Sequence, residues 1–437
     1  IIYNSYTESV LNNYNKTKVM IIFQLTMYNL FFAYSIPPQN SLFYRIFGHI
    51  MALVGMGPCN WWWYEYPKSL KYFFMFQGFC IPYLCLICFS SQFVFLYLNN
   101  SRLDQNTLSI VYSILPIGFL VFVRIKSTST QTRSYRKLLI DFMDKIHLYN
   151  YYRVNRNEFV KMKLLQVERV TLYVCFSLFL FIHCVWLAWM ITPVLYNVRN
   201  IEAILNGTDV FHTCYYMWMP FDYINDYTNW IIQNIVNTYI TFLAIIILFT
   251  FEMISYILIF NLIGHIQILK HNMTTRFVDT INDDDTTRKL IDIIQHHCFI
   301  TETFQEVQHV FGLSVAANYL QNLVEDGLLM YQCMLGDKES QVTYGLTLVY
   351  YMSGLVTMSL VLEEIRRETE DLSETMYCHI PWVNMSLSNQ KTFVIILAKL
   401  QPALEFRSLG CFGAGIKPAI SIIKTTFSYY VMLKSRL

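Results

Sequence analysis

Seven stretches of the chain are apolar for long enough to cross about 30 Å of hydrocarbon. They run over 71–97, 107–124, 169–196, 230–262, 308–333, 342–364 and 412–434. The second is short and contains Pro116, and the fourth extends through His265 towards Lys270 if it stays helical. The seventh carries a polar stripe. Ser421, Thr425, Ser428 and Met432 are spaced four, three and four apart, which is one face of a helix, while Ile420, Ile423, Phe427 and Val431 lie largely elsewhere. Lipid gives no reason to align three hydroxyls. A water-filled path does, and so does packing between helices through small polar residues.

The polar connections set the expected orientation. Residues 125–168 hold nine Lys and Arg, from Lys126 to Lys163, whereas 197–229 hold only Arg199 beside Glu202, Asp209, Asp222 and Asp226. Basic loops stay in the cytoplasm, so the N-terminus is predicted inside and, after seven spans, the C-terminus outside. Residues 264–307 are polar, with Asp283, Asp284 and Asp285 ahead of a helical pattern, and Glu363, Glu364, Arg366, Arg367, Glu368 and Glu370 mix signs at helical spacing. Asn389 to Leu404 is amphipathic, with Phe393, Ile396, Leu397 and Leu400 on one face as candidate assembly residues.

The predicted fold is an all-α membrane protein of seven transmembrane helices with cytoplasmic helical extensions that form an anchor domain. Its expected divisions begin with a cytoplasmic N-terminal region (1–70) and helices one to four (71–262). A cytoplasmic extension (263–307), helices five and six (308–364), anchor helices (365–411) and a last helix (412–437) follow.

Composition agrees. The 437 residues are 55% hydrophobic and 14% charged, with mean hydropathy +0.36, where a soluble domain carries about 25% charged residues. A net charge of +2 leaves no nucleic-acid footprint. Most of the eleven cysteines fall within apolar runs, and none of their spacings resembles a zinc site. There is no G-x-S-x-G, H-E-x-x-H or Walker pattern, and His296 and His297 diverge by about 100° on a helix. Neither an enzyme nor a cofactor or metal is expected.

The remaining chemistry concerns binding. Tyr112, His183, Trp186, Trp189, Asn234 and Tyr351 fall in the outer halves of spans two, three, four and six, near Met190, Asn237, Tyr344 and Tyr350. Aromatic faces with few polar atoms suit a small apolar ligand. Burying about 200 Å² of such a ligand yields roughly 5 kcal/mol gross, enough for micromolar binding once shape and hydrogen bonds add to it. Span five places Asn318, Gln321, Asn322 and Glu325 on one face, beside Asp326, pointing to an aqueous vestibule, a subunit contact or a shorter span.

Several motifs near the C-terminus resemble those of insect odorant receptors. They are Leu372-Ser373-Glu374 with Tyr377 and Pro381-Trp382, then Leu400-Gln401-Pro402, then Ile422 through Tyr430, with Phe427 where the family more often has Tyr. The chain length and seven-span topology fit over essentially the whole chain. The resemblance implies an odorant-gated, non-selective cation channel in the plasma membrane of sensory neurons, passing monovalent and divalent cations. It further implies a tuning subunit, because the 264–307 loop is shorter than in the co-receptor, and a heterotetramer with that co-receptor. A small volatile organic ligand, contacts with membrane lipid and a pore lined by the last helix belong to the same expectation, with Ser421, Thr425, Ser428 and Met432 facing the ions. A gustatory-type channel of the same superfamily, a G-protein-coupled receptor and a transporter are the alternatives. The C-terminal Tyr-Val-Met-Leu-Lys disfavours the first, and the predicted inside N-terminus disfavours the second.

Overall fold

Six of the seven apolar stretches lie inside long helices, and the seventh, placed at 412–434, is helical only from Ile416, because its first residues form a strand of a short hairpin. The computed structural model describes residues 37–56, 66–99, 105–130, 132–277, 283–335, 338–410 and 412–434, so the segment 1–36 and Arg436 fall outside the described residues. A short helix α1 (Leu42–Leu53) leads into α2 (Lys68–Asn99) and α3 (Gln105–Thr130). Helix α4 (Thr132–Asp141), a π-helical turn (Phe142–Ile146) and α5 (Leu148–Asn155) then connect to α6 (Glu158–Arg199). After α7 (Ile201–Leu205) come α8 (Tyr227–Thr275), α9 (Asp283–Leu335) and α10 (Lys338–Glu370). Helices α11 (Leu372–His379) and α12 (Leu387–Leu400), a hairpin of β1 (Arg407–Ser408) and β2 (Phe412–Gly413), and α13 (Ile416–Lys434) complete the chain.

Local chemistry sets these boundaries. Asn157 and Asp226 accept hydrogen bonds from the backbone N–H groups of Phe159 and Asn229, capping α6 and α8. Five of the long helices, α2, α3, α6, α8 and α10, are apolar enough by length and composition to cross a membrane. Helices α9 and α13 carry more polar side chains. Helix α8 has 49 residues and α9 has 53. At about 1.5 Å per residue they reach roughly 70–80 Å, so both run far beyond a bilayer. The boundary drawn at 307/308 therefore lies inside one unbroken helix. The mixed charges after span six form ladders within α10, Arg366 to Glu363 and Glu370 and Arg367 to Glu364.

The densest packing is at the end of the bundle that carries the basic segment 125–168, called here the basic end. From Ile246 to Ile259 every residue of α8 except Glu252 is buried, as expected of a helix that is apolar on all sides. Helix α5 crosses α8 closely: a Cβ on Gly264 would lie 2.5 Å from Leu148 Cδ1. Between them sits a histidine pair. His265 Nε2 donates to the Ile146 carbonyl at 2.8 Å, so its Nδ1 accepts from His296 Nε2 at 3.1 Å. Tyr151 stacks on His296 at 4.8 Å. His147 accepts from the Tyr149 N–H on Nδ1 and donates from Nε2 to the Tyr44 hydroxyl at 3.0 Å.

A tyrosine hydroxyl ties the start of α13 to its neighbours. Tyr319 of α9 accepts from the Gly415 N–H at 3.1 Å and shares a 2.5 Å hydrogen bond with Ser359 of α10. The hairpin just before it turns through Leu409 (φ 54) and Gly410 (φ 76), both left-handed.

Candidate functional site

Towards the other end of the bundle, α2, α3, α6, α8 and α10 part around a cavity of about 140 Å³. Its size is close to that of the ~150 Å³ apolar cavity that admits benzene in an engineered protein. Trp186, Trp189 and Tyr351, three of the six residues singled out from sequence, line it together with Met190 and Tyr350. The walls leave few polar groups free. Trp186 Nε1 donates to Thr241 at 3.1 Å and Trp189 Nε1 to Thr347 at 2.7 Å, so both indoles are engaged across helices. The Tyr350 hydroxyl is turned away to Glu252 at 3.2 Å, and the Tyr215 hydroxyl donates to the Cys88 carbonyl at 3.3 Å. Such a chamber accepts hydrocarbon with at most a little polarity.

The other three residues lie elsewhere. Tyr112 is 43% exposed on the outward face of α3. His183 turns onto its own helix, with Nδ1 2.7 Å from the Phe179 carbonyl. Asn234 donates to the Trp230 carbonyl at 3.0 Å and receives Thr213 Oγ1 at 3.4 Å. It belongs to the base of the loop 206–226, outside the cavity lining.

Two contributors were missed from sequence. Helix α2 supplies Ile81, Leu84, Cys85, Cys88 and Phe89, whose spacing is one helical face hidden in a run that is apolar all round. The loop 206–226 folds back as a cover and contributes Cys214 and Tyr215. Trp218 N–H bonds to Ser91 O at 3.1 Å, and Asn237 Nδ2 bonds to Tyr215 O at 3.0 Å. Phe211, Tyr215, Tyr216 and Tyr223, all buried, were the available signal, since a connection so rich in aromatics tends to pack them.

Helix α13 meets α9 and α10 along one side, where Ala419, Ile422 and Thr426 are buried. Ser421, Ser428 and Met432 (44% exposed) are uncovered and Thr425 is half-buried, but Phe427 and Val431 are uncovered too. Thr425 and Ser428 hydroxyls bond to the Ser421 and Lys424 carbonyls of their own helix.

The amphipathic face of α12 meets its own subunit. Phe393, Ile396 and Leu400 are buried and Leu397 is half-buried, with Phe393 stacked on Trp382. The apolar side chains left uncovered there are Leu387, Val394 (61%) and Ile395 (64%). The polar face of α9 is likewise enclosed within the subunit. Glu325 and Asp326 are 0% exposed, Gln321 donates to Glu325, and both Asp326 carboxyl oxygens lack a partner.

The family model described as 7tm Odorant receptor matches residues 107–427, from α3 into α13. The chain belongs to the odorant receptor family, and so is a receptor rather than an enzyme. Compared by sequence with curated proteins, it has no match. Among solved structures it is similar to the insect olfactory receptor OR5 from Machilis hrabei, with TM-score 0.72, 17% identity, and 90% of this chain and 97% of that one covered. The same receptor in complex with eugenol gives TM-score 0.73 and 16% identity, covering 90% and 98%. At that identity the likeness speaks for the fold, a seven-helix membrane bundle, and the protein is a multi-pass membrane protein.

Proposed function

We propose that this chain is the ligand-tuning subunit of an odorant-gated, non-selective cation channel that assembles with an odorant co-receptor as a heterotetramer in the plasma membrane of sensory neurons. The observation that carries the reading is the apolar cavity walled by Trp186, Trp189 and Tyr351, in a fold shared with a receptor solved in complex with eugenol. An apolar volatile of about benzene's size fills it as it stands, and a larger one needs its walls to move apart. The short connection between Thr275 and Asp283 supports the tuning role over the co-receptor role. The basic segment 125–168 supports an inside N-terminus and an outside C-terminus.

The uncovered side of α13 lines the ion path. Ser421, Thr425 and Ser428 wet the helix face, and Met432 forms the constriction by dewetting. Assembly uses the cytoplasmic helices, with Leu387, Val394 and Ile395 of α12 as the apolar surface available to a neighbour.

The test is current recorded from cells expressing the chain alone or with a co-receptor, under eugenol and a panel of terpenes, phenols and medium-chain esters. Evoked current is expected only in the co-expressing cells. Silence to every member, with both subunits at the surface, counts against the reading. In the same cells, cysteine at 432 should react with a thiol reagent mainly while odorant is applied. Reaction at 427 or 431 instead would assign the pore to the other flank of α13.

A further inference from the structure

Directly beneath the ligand cavity, on its basic-end side, lies a buried ion pair. Arg124 of α3 is 3% exposed, donates through Nη1 to the Leu248 carbonyl at 2.8 Å and lies 3.4 Å from Glu252 Oε1 of α8. Its guanidinium also sits 5.7 Å over the Phe251 ring. The other oxygen of Glu252 accepts from the Tyr350 hydroxyl at 3.2 Å. Leu248 and Tyr350 both form walls of the ligand cavity. The pair is thus attached to that cavity by a backbone carbonyl on α8 and a side chain on α10.

An ion pair at this depth is costly to bury and stays only where its remaining donors and acceptors are met. One of them is not: Arg124 Nε has no partner within the protein. Arg124 borders a second, separate chamber of about 20 Å³, also lined by Glu252, Ser255, Ser314 and Asn318. One water needs roughly 10–15 Å³ of such space and two to four polar neighbours. The Ser255 hydroxyl donates to the Phe251 carbonyl at 2.9 Å and keeps lone pairs to accept with.

We propose that this chamber is a hydration site for a single water molecule, held by Arg124 Nε and by the polar groups of Ser314 and Asn318 on α9. The relay Tyr350–Glu252–Arg124–water then joins the wall of the ligand cavity to α9. Asn318 is followed directly by Tyr319, whose hydroxyl holds the start of α13. A ligand that displaces Tyr350 therefore alters the footing of α13 without touching it. This second half rests on the channel reading above, whereas the hydration site does not.

Two measurements decide it. A cryo-EM map of the assembled receptor at a resolution that shows other buried waters should contain density within hydrogen-bond distance of Arg124 Nε. Its absence there overturns the hydration site. For the relay, Tyr350→Phe removes only a hydroxyl already turned away from the cavity. Expressed with a co-receptor, it should change the basal current, or the maximal eugenol- or panel-evoked current, by roughly five-fold or more, the lower edge of typical coupling. Glu252→Gln and Arg124→Gln should each do the same, and the double variant should fall short of the product of the singles. Surface labelling guards against misfolding of the charge variants, and Tyr350→Phe keeps the test open if they fail to mature. A Tyr350→Phe channel with unchanged basal and maximal currents overturns the relay, whatever happens to its half-maximal concentration. If the wild type answers no odorant and shows no basal current, the channel reading and the relay fall together, and the map still decides the water.

Discussion

The two halves of helix α8 pass through different surroundings. From Ile246 to Ile259 it is enclosed on nearly every side, whereas from Tyr227 to Ile245 most of its side chains are exposed or half-buried and several border the ligand cavity. The sequence already hints at the contrast, with Asn229, Gln233, Asn234 and Asn237 in the first half and an almost wholly apolar second half. The difference teaches that one end of the bundle holds the fold and the other leaves room for a guest. It also places the Arg124–Glu252 pair at the seam between a solid region and a hollow one.

The largest effect should come from the solid half. Leu269→Ala removes a side chain that is fully buried, and a loss of about 2–5 kcal/mol is expected because the surroundings cannot collapse into the gap. Thermal unfolding in detergent and surface abundance would report it. Ile396→Glu should be at least as damaging, since it buries a charge with no partner. Full surface expression of either variant would break the comparison.

In the hollow half, Trp186→Ala should leave the fold assembled and change binding instead. Loss of its wall and of its bond to Thr241 is expected to shift half-maximal odorant concentration about ten-fold, or roughly 1.4 kcal/mol. Tyr112→Ala, on the outward face, should leave the curve in place. Equal shifts for both would show that the ligand sits elsewhere.

Mild acid should act on the solid half. Burial holds His147 down at about 3, with nearby His265 adding to the effect. His265 is held at about 4 by burial, against the opposing pull of its bond to the Ile146 carbonyl, and burial also lowers His296. A folded value below the unfolded 6.5 means that stability is complete above pH 6.5 and is lost as pH falls from there towards 4. Unfolding followed at pH 7.5 and 5.5 should differ by about 1 kcal/mol per enclosed histidine. A flat profile would mean that water reaches the pair.

The smallest effect on the subunit itself should come from Ile395→Glu, within about 0.5 kcal/mol because the side chain is already exposed. Co-purification of the co-receptor should nevertheless drop. Retained complexes would assign assembly to the membrane helices.

Much of this architecture is legible in the chain itself. Six of the apolar stretches became helix throughout and the seventh from Ile416 on, and the fourth continues as helix past His265 although Gly264, Gln267 and Lys270 interrupt its apolar run. The ladders around Arg366 were visible as spacing. The cavity was legible only in part, with Trp186, Trp189 and Tyr351 converging while Tyr112, His183 and Asn234 do not. Lipid and protein interior are equally apolar, so hydropathy alone does not reveal which face of a membrane helix turns inward. For the same reason the face of α2 that walls the cavity was hidden in a uniform run. The amphipathic pattern of α12 was correct as a pattern, but a pattern does not say whether the apolar face meets its own subunit or a neighbour. The sequence by itself thus determined the spans, the basic bias of one end and the stock of aromatic side chains. Only the tertiary structure decided which of them meet, because pairs such as His265 with His296 and Arg124 with Glu252 are selected by packing between helices distant in the chain.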